Sequence, residues 1–109
     1  MKLDPEHLRD SLKRAQQAAD AFLGTDDGGS CNFDSPTLHL PGARKATIEA
    51  IAESAGLRAS KIGGGLWRGS YFVHINTSGQ GMRRTRMAEA ATASLKADGY
   101  AASTYYALD

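Results

Sequence analysis

The spacing of apolar residues predicts three amphipathic helices. Over residues 4–23 apolar side chains recur every three or four positions, and Asp4 stands before Pro5 as a helix N-cap would. The same spacing returns over 43–55 and 87–95. In both of these segments a glycine follows shortly after, as is common at helix ends. We therefore expect three helices that each bury one face.

Four other segments favour extended structure, because apolar and polar residues alternate in them. They are 37–40, 57–62, 66–75 and 100–108. After the first helix the element order is then strand, helix, strand, strand, helix, strand. This order predicts one α+β domain of the ferredoxin-like βαββαβ type, in which two helices cover one face of a four-stranded antiparallel sheet. Residues 24–36 are expected to form a loop, and 37–108 the βαββαβ core.

The same alternation predicts an unusual second face of the sheet. Tyr71 and Val73 should lie under the helices, while Phe72 and His74 should point away from them. By the same logic His39 and Tyr105 join the second face. Either this face binds something, or the N-terminal helix or a second copy of the chain covers it.

Part of the third predicted strand resembles the RNA recognition motif, which stacks bases on aromatic residues of its open sheet face. The motif's octapeptide begins with a basic residue and a glycine and continues with aromatic residues and a valine. The matching positions here are Arg68, Gly69, Phe72 and Val73. Ser70, Tyr71 and Ile75 depart from the pattern, and His39 stands where the first strand would carry an aromatic residue. We therefore do not assign the family.

Charge distribution draws attention to a second segment. The 109 residues carry a net charge of +1, but residues 54–109 hold seven basic side chains against three acidic ones. Arg83, Arg84 and Arg86 fall in the first turn of the last predicted helix, where acidic residues are normally favoured. A docked phosphate or carboxylate would relieve this conflict. The alternative is a solvated basic turn that pairs with acidic residues of the N-terminal half.

Catalytic, metal and cofactor sites are not indicated by the sequence. Cys31 is the single cysteine, and it shows no close spacing with His7, His39 or His74 of the kind that zinc sites use. The N-terminal segment lacks the apolar stretch of a secretion signal. We expect a cytoplasmic protein that is not an enzyme and needs no cofactor or metal.

These observations predict a small binding module whose partner is a nucleic acid or a ribonucleoprotein. The predicted binding residues are Arg68, Phe72, His74, His39, Tyr105, Arg83, Arg84 and Arg86. A protein–protein interaction factor, such as an inhibitor of host defence encoded by a mobile element and similar to anti-CRISPR proteins, is one alternative. A structural homodimer is the other.

Overall fold

The computed structural model of the chain describes residues 3–21, 34–63, 68–76 and 82–106. In this part of the chain the elements follow the order α1, β1, α2, β2, β3, α3, β4. The helices are α1 (Pro5–Asp20), α2 (Lys45–Ser54) and α3 (Met82–Ala97). The strands are β1 (Ser35–His39), β2 (Arg58–Lys61), β3 (Ser70–His74) and β4 (Ala102–Tyr105).

The four strands form one antiparallel sheet in the order β2-β3-β1-β4. Register is fixed at the centre by Thr37 opposite Phe72, and at the two edges by Ala59 opposite Val73 and by Leu38 opposite Ala102. The predicted α+β class and the four-stranded antiparallel sheet are therefore confirmed. The finer ferredoxin-like assignment stays a prediction.

Local sequence signals set the helix ends. The Asp4 carboxylate accepts hydrogen bonds from the backbone N–H groups of Glu6 and His7, at 3.1 and 3.2 Å, which satisfies donors that the first turn leaves unpaired. Gly56 and Gly99 end α2 and α3 with φ angles of 80° and 96°. Because a Cβ atom makes a positive φ unfavourable, glycine is the suitable residue at both positions.

The core lies between the sheet and the helices. Leu8 and Leu12 of α1 pack in one cluster with Leu38 of β1 and with Tyr71 and Val73 of β3. Helices α2 and α3 complete this cluster with the predicted apolar positions Ile48, Ile51, Ala52, Met87, Ala91 and Leu95. Thr47, which falls next to Ile48 in the predicted segment 43–55, is exposed and does not belong to the buried stripe of α2.

Helix α1 packs against α3 and, less extensively, against α2. Its buried residues share the cluster of Leu38, Tyr71 and Val73, so α1 belongs to the helical side of the sheet. The alternative in which this helix folds across the second face is therefore wrong. None of the helices in the described segments is long and apolar enough to cross a membrane.

Several predicted boundaries need correction. Strand β1 begins at Ser35, so Ser35 and the buried Pro36 belong to the sheet and not to the 24–36 loop. Strand β4 covers Ala102–Tyr105, which is shorter than the predicted 100–108. Helix α1 ends at Asp20, before the predicted end at residue 23. The predictions for residues 22–33, 64–67, 77–81 and 107–108 lie outside the described residues.

Candidate functional site

The sheet face that points away from the helices forms the first candidate site, and we call it the open face. Phe72 lies at its centre, opposite Ser60 of β2 and Thr37 of β1. One row further along, His74 is opposite Arg58, and Tyr105 is opposite Ser35. His39 and Ser70 face each other at the other end.

Three of these side chains form an aromatic cluster. The rings of Phe72 and Tyr105 are 5.3 Å apart and meet edge to face at 75°. The ring centre of His74 lies 6.3 Å from the ring centre of Phe72. Phe72 and His74 are half-buried, and Tyr105 is 38% exposed. Each of the three residues is therefore partly accessible to solvent and partly packed against its neighbours. The predicted placement of Phe72, His74 and Tyr105 on one face is confirmed.

Both histidines of the open face are held by serines of a neighbouring strand. The Oγ of Ser60 lies 2.8 Å from Nε2 of His74, and the Oγ of Ser70 lies 3.1 Å from Nδ1 of His39. Partial burial lowers the pKa of His74 below its ordinary value, and the charges of Arg58 and Arg84 lower it further. His74 is consequently a neutral, oriented ring near pH 7.

The serine–histidine pairs raise the question of nucleophilic catalysis, because a base beside a hydroxyl can activate it. Such a base normally needs a third group that orients it. Within the described residues no carboxylate is hydrogen-bonded to His74 or to His39. The described segments also contain no cluster of three or more metal-ligating side chains.

The arginine-rich turn is in part explained by the chain itself. The buried Asp34 lies beside the first turn of α3, and its carboxylate accepts a hydrogen bond of 2.6 Å from the Thr85 hydroxyl. The Nε of Arg84 donates to the Asp34 carbonyl at 3.3 Å. An acidic residue of the N-terminal half therefore contacts this turn, through its carboxylate to Thr85 and through its main-chain carbonyl to Arg84. The pairing of these arginines with acidic side chains stays a prediction. Asp34 supplies the acidic partner that the first turn of α3 lacks.

The remaining predicted arginines lie elsewhere: Arg68 in the turn before β3, and Arg83 and Arg86 in α3, on the helical side of the sheet. Arg68 and Arg86 are exposed, and the side chain of Arg83 lies outside the described residues. The exposed Arg58 was not predicted as a site residue, although its place opposite His74 puts its charge on this face. The alternation of Arg58, Ala59 and Ser60 around the buried Ala59 was the signal that could have identified it.

Gly69, which matched the octapeptide of the RNA recognition motif, has a local structural role. Its φ is 82°, and a Cβ placed there would lie 3.2 Å from the Cα of Pro41. A tight turn against Pro41 therefore requires glycine here, and this match needs no functional explanation.

A second candidate site lies at the end of the sheet where β1 stops and β4 begins. It is a pocket of about 800 Å³ between the N-terminal end of α1, the segment after β1 and the segment that joins α3 to β4. Its polar lining includes His7, Asp98 and Tyr100, none of which was predicted as a site residue. Residues so far apart in sequence meet only through the packing of α1 on α3, which a local pattern does not reveal.

Comparisons with protein-family models, with characterised proteins and with solved structures found no significant match to this chain. Function is therefore inferred from the geometry of the two sites.

Proposed function

We propose that this chain is a non-enzymatic module that binds single-stranded nucleic acid on the open face. The observation that carries the proposal is the cluster of Phe72, His74 and Tyr105 on the side of the sheet opposite the helices. Aromatic rings stack on any nucleic-acid base, and such stacking contributes about 1–3 kcal/mol per base. A single strand suits this face better than a duplex does, because only unpaired bases offer their faces.

Positive charge around the cluster supports the proposal. Arg58 is exposed and lies directly across from His74, and the charges of Arg58 and Arg84 both act on that ring. Guanidinium groups pair with phosphates through forked hydrogen bonds, so they can follow a backbone whose bases stack on the rings. A neutral His74 also favours stacking, because its ring then carries no charge that would need solvation.

The ferredoxin-like arrangement is part of the same proposal. The alternating order of helices and strands after α1 supports it, as do the antiparallel pairings on both sides of β1. In this arrangement both helices of the βαββαβ unit leave one sheet face available, which is the face that the proposal uses.

The test is fluorescence anisotropy of labelled oligonucleotides, single-stranded and double-stranded, at low salt, with the wild type and Phe72→Leu. Leucine keeps most of the apolar volume and removes the stacking ring, so the fold should persist. We expect saturable binding of the single strand by the wild type, and binding by Phe72→Leu that is weaker by about 1–3 kcal/mol. Tyr106→Leu is the matched control, because its ring lies on the other side of β4, where it bonds Glu89 of α3.

Two results would contradict the proposal. One is no saturable binding by the wild type at low salt. The other is equal binding by the wild type and Phe72→Leu, since the aromatic cluster would then have no role.

A protein partner at the edge of the sheet is the second candidate function. Strand β4 is an outer strand, and the two large apolar side chains that are exposed in the described residues, Tyr105 and Tyr106, lie at its end. A second copy of the chain that packed there would give a homodimer. Light scattering after size exclusion, with the wild type and Tyr106→Glu, tests this: a dimer that the substitution dissociates supports it, and a monomeric wild type excludes it.

A further inference from the structure

We propose that the pocket beside the N-terminal end of α1 binds a small organic cation that consists of an apolar body and a protonated amine. His39 of the open face also lines this pocket, but the aromatic cluster of Phe72, His74 and Tyr105 does not, and the inference goes beyond the proposed function. At about 800 Å³ it lies in the size range of small-molecule sites, which is roughly 300–1,000 Å³.

The walls of the pocket suit an apolar body. Three parts of the chain contribute apolar side chains: the residue before the N-cap of α1, the segment after β1, and the residue before β4. These side chains are Leu3, Leu40, Pro41, Ala43 and Ala101. Leu3, Leu40 and Ala43 also border the core, so this part of the lining is continuous with the packed interior.

His7 and Tyr100 form the polar side of the pocket, and a hydrogen bond holds them together. Nδ1 of His7 lies 2.7 Å from the hydroxyl of Tyr100, and the two ring centres are 5.4 Å apart. Burial raises the pKa of Tyr100, which keeps its hydroxyl protonated and its ring neutral. An ammonium group that approaches the Tyr100 ring would gain a cation–π contact.

The charges of the lining favour a cation. Asp4 and Asp98 bring two carboxylates, and the lining residues that the structure describes include no lysine or arginine. The Nε of Arg14, in α1, donates a hydrogen bond of 2.9 Å to the carboxylate of Asp98. The negative charge of Asp98 is therefore largely balanced. Asp4 uses Oδ1 to cap α1, and its Oδ2 accepts no hydrogen bond from the described residues. This oxygen of Asp4 is therefore the group that would receive the amine.

The test compares three probes that share one phenyl body: phenethylamine, phenethyl alcohol and phenylpropionate. Each is titrated into the full chain at matched ionic strength and followed by NMR amide shifts. We expect the amine to bind most tightly, with shifts confined to the pocket residues, and phenylpropionate to bind least. No pocket-confined shifts with any probe, or equal binding of phenylpropionate and the amine, would overturn the proposal.

The variant Asp4→Asn isolates the role of charge, because asparagine caps helices as well as aspartate does. We expect the amide NMR spectrum of this variant to match that of the wild type. The ratio of its affinities for phenethylamine and phenethyl alcohol should fall about fivefold. Glu89→Gln removes a carboxylate that bonds Tyr106 away from the pocket, and it should leave that preference unchanged. An unchanged preference in Asp4→Asn would show that Asp4 does not receive the amine.

Discussion

Two residues of the open face show how neighbours determine the chemical state of a side chain. Nε2 of His74 is hydrogen-bonded to the Ser60 hydroxyl at 2.8 Å, while Arg58 and Arg84 place positive charge near its ring. The partial burial of this ring disfavours its charged form, and the arginines act in the same direction. His39, at the other end of the face, is exposed and bonds Ser70 through Nδ1. The face thus contains two histidines in different environments.

We predict that His74 titrates below the ordinary histidine pKa of about 6.5. The replacement Arg58→Gln should move its pKa upward, because it removes one of the positive charges that disfavour the imidazolium. NMR titration of the imidazole ring protons measures both values. Lys61→Gln, at the other end of the same strand, serves as the control for a lost positive charge. An unshifted His74 pKa in Arg58→Gln would contradict the electrostatic explanation.

The same pKa has a consequence for stability. A lowered pKa in the folded state means that the unfolded chain binds this proton more readily. The contribution of His74 to the free energy of unfolding is therefore fully present above about pH 6.5 and declines as the pH falls through that value toward the lowered one. Urea unfolding at several pH values should accordingly show a smaller loss of stability on acidification in His74→Gln than in the wild type.

At the scale of elements, α1 is an integral part of the fold. Its residues Leu8 and Leu12 are almost completely buried, and Gln16 exchanges two hydrogen bonds with the backbone of Asn76 beyond β3. These bonds are 2.8 and 2.6 Å long. Because α1 fills the helical side of the sheet, it leaves the open face to the aromatic cluster.

We predict that Leu12→Ala lowers the free energy of unfolding by about 2–5 kcal/mol, since it leaves a cavity in a packed core. The adjacent exposed change Lys13→Ala should stay within about 0.5 kcal/mol of the wild type. Denaturant unfolding followed by circular dichroism measures both. A Leu12→Ala variant as stable as Lys13→Ala would show that α1 is not part of the cooperative core.

The spacing of apolar residues correctly predicted the helices and strands in which that spacing is regular. Met87, Ala91 and Leu95 recur at a spacing of four, and all three are buried in α3. Period two was sufficient to place Phe72 and His74 on the face opposite Tyr71 and Val73. Proline is a poor marker of the start of β1, however, because Pro36 pairs with Thr104 inside the sheet although proline is usually excluded from central strands.

The parts of the candidate sites that sequence did not predict are contacts between distant segments. Thr85 bonds Asp34 across 51 positions, and Tyr100 meets His7 across 93. No local periodicity encodes such pairs, since they depend on how helices pack. For this reason the partner of the arginine-rich turn and the whole pocket became visible only in the three-dimensional structure.

At the scale of the molecule, charge is nearly balanced but unevenly distributed. The net charge is +1, while residues 1–53 carry nine acidic side chains against six basic ones. One basic side chain of the second half, Arg84, donates a hydrogen bond to the main-chain carbonyl of Asp34. Binding of a polyanion would thus depend on a few local arginines and not on a general positive field.

We predict a shallow salt dependence of nucleic-acid binding. If Arg58 and Arg68 each neutralise one phosphate of a single strand, a plot of log affinity against log salt should have a slope of about −1.4. Arg68→Gln should reduce the magnitude of this slope, whereas Arg44→Gln at the N-terminal end of α2 should not. A slope that is steep and equally affected by both variants would indicate nonspecific attraction.

The two outer strands of the sheet differ in a way that matters for handling the protein. Strand β2 carries Arg58 and Lys61 at its ends, and such charges discourage edge-to-edge pairing between molecules. Strand β4, Ala102–Tyr105, contains no charged residue. In concentrated solution we expect ordered aggregates to nucleate along β4, so this edge and not β2 should limit long-term storage.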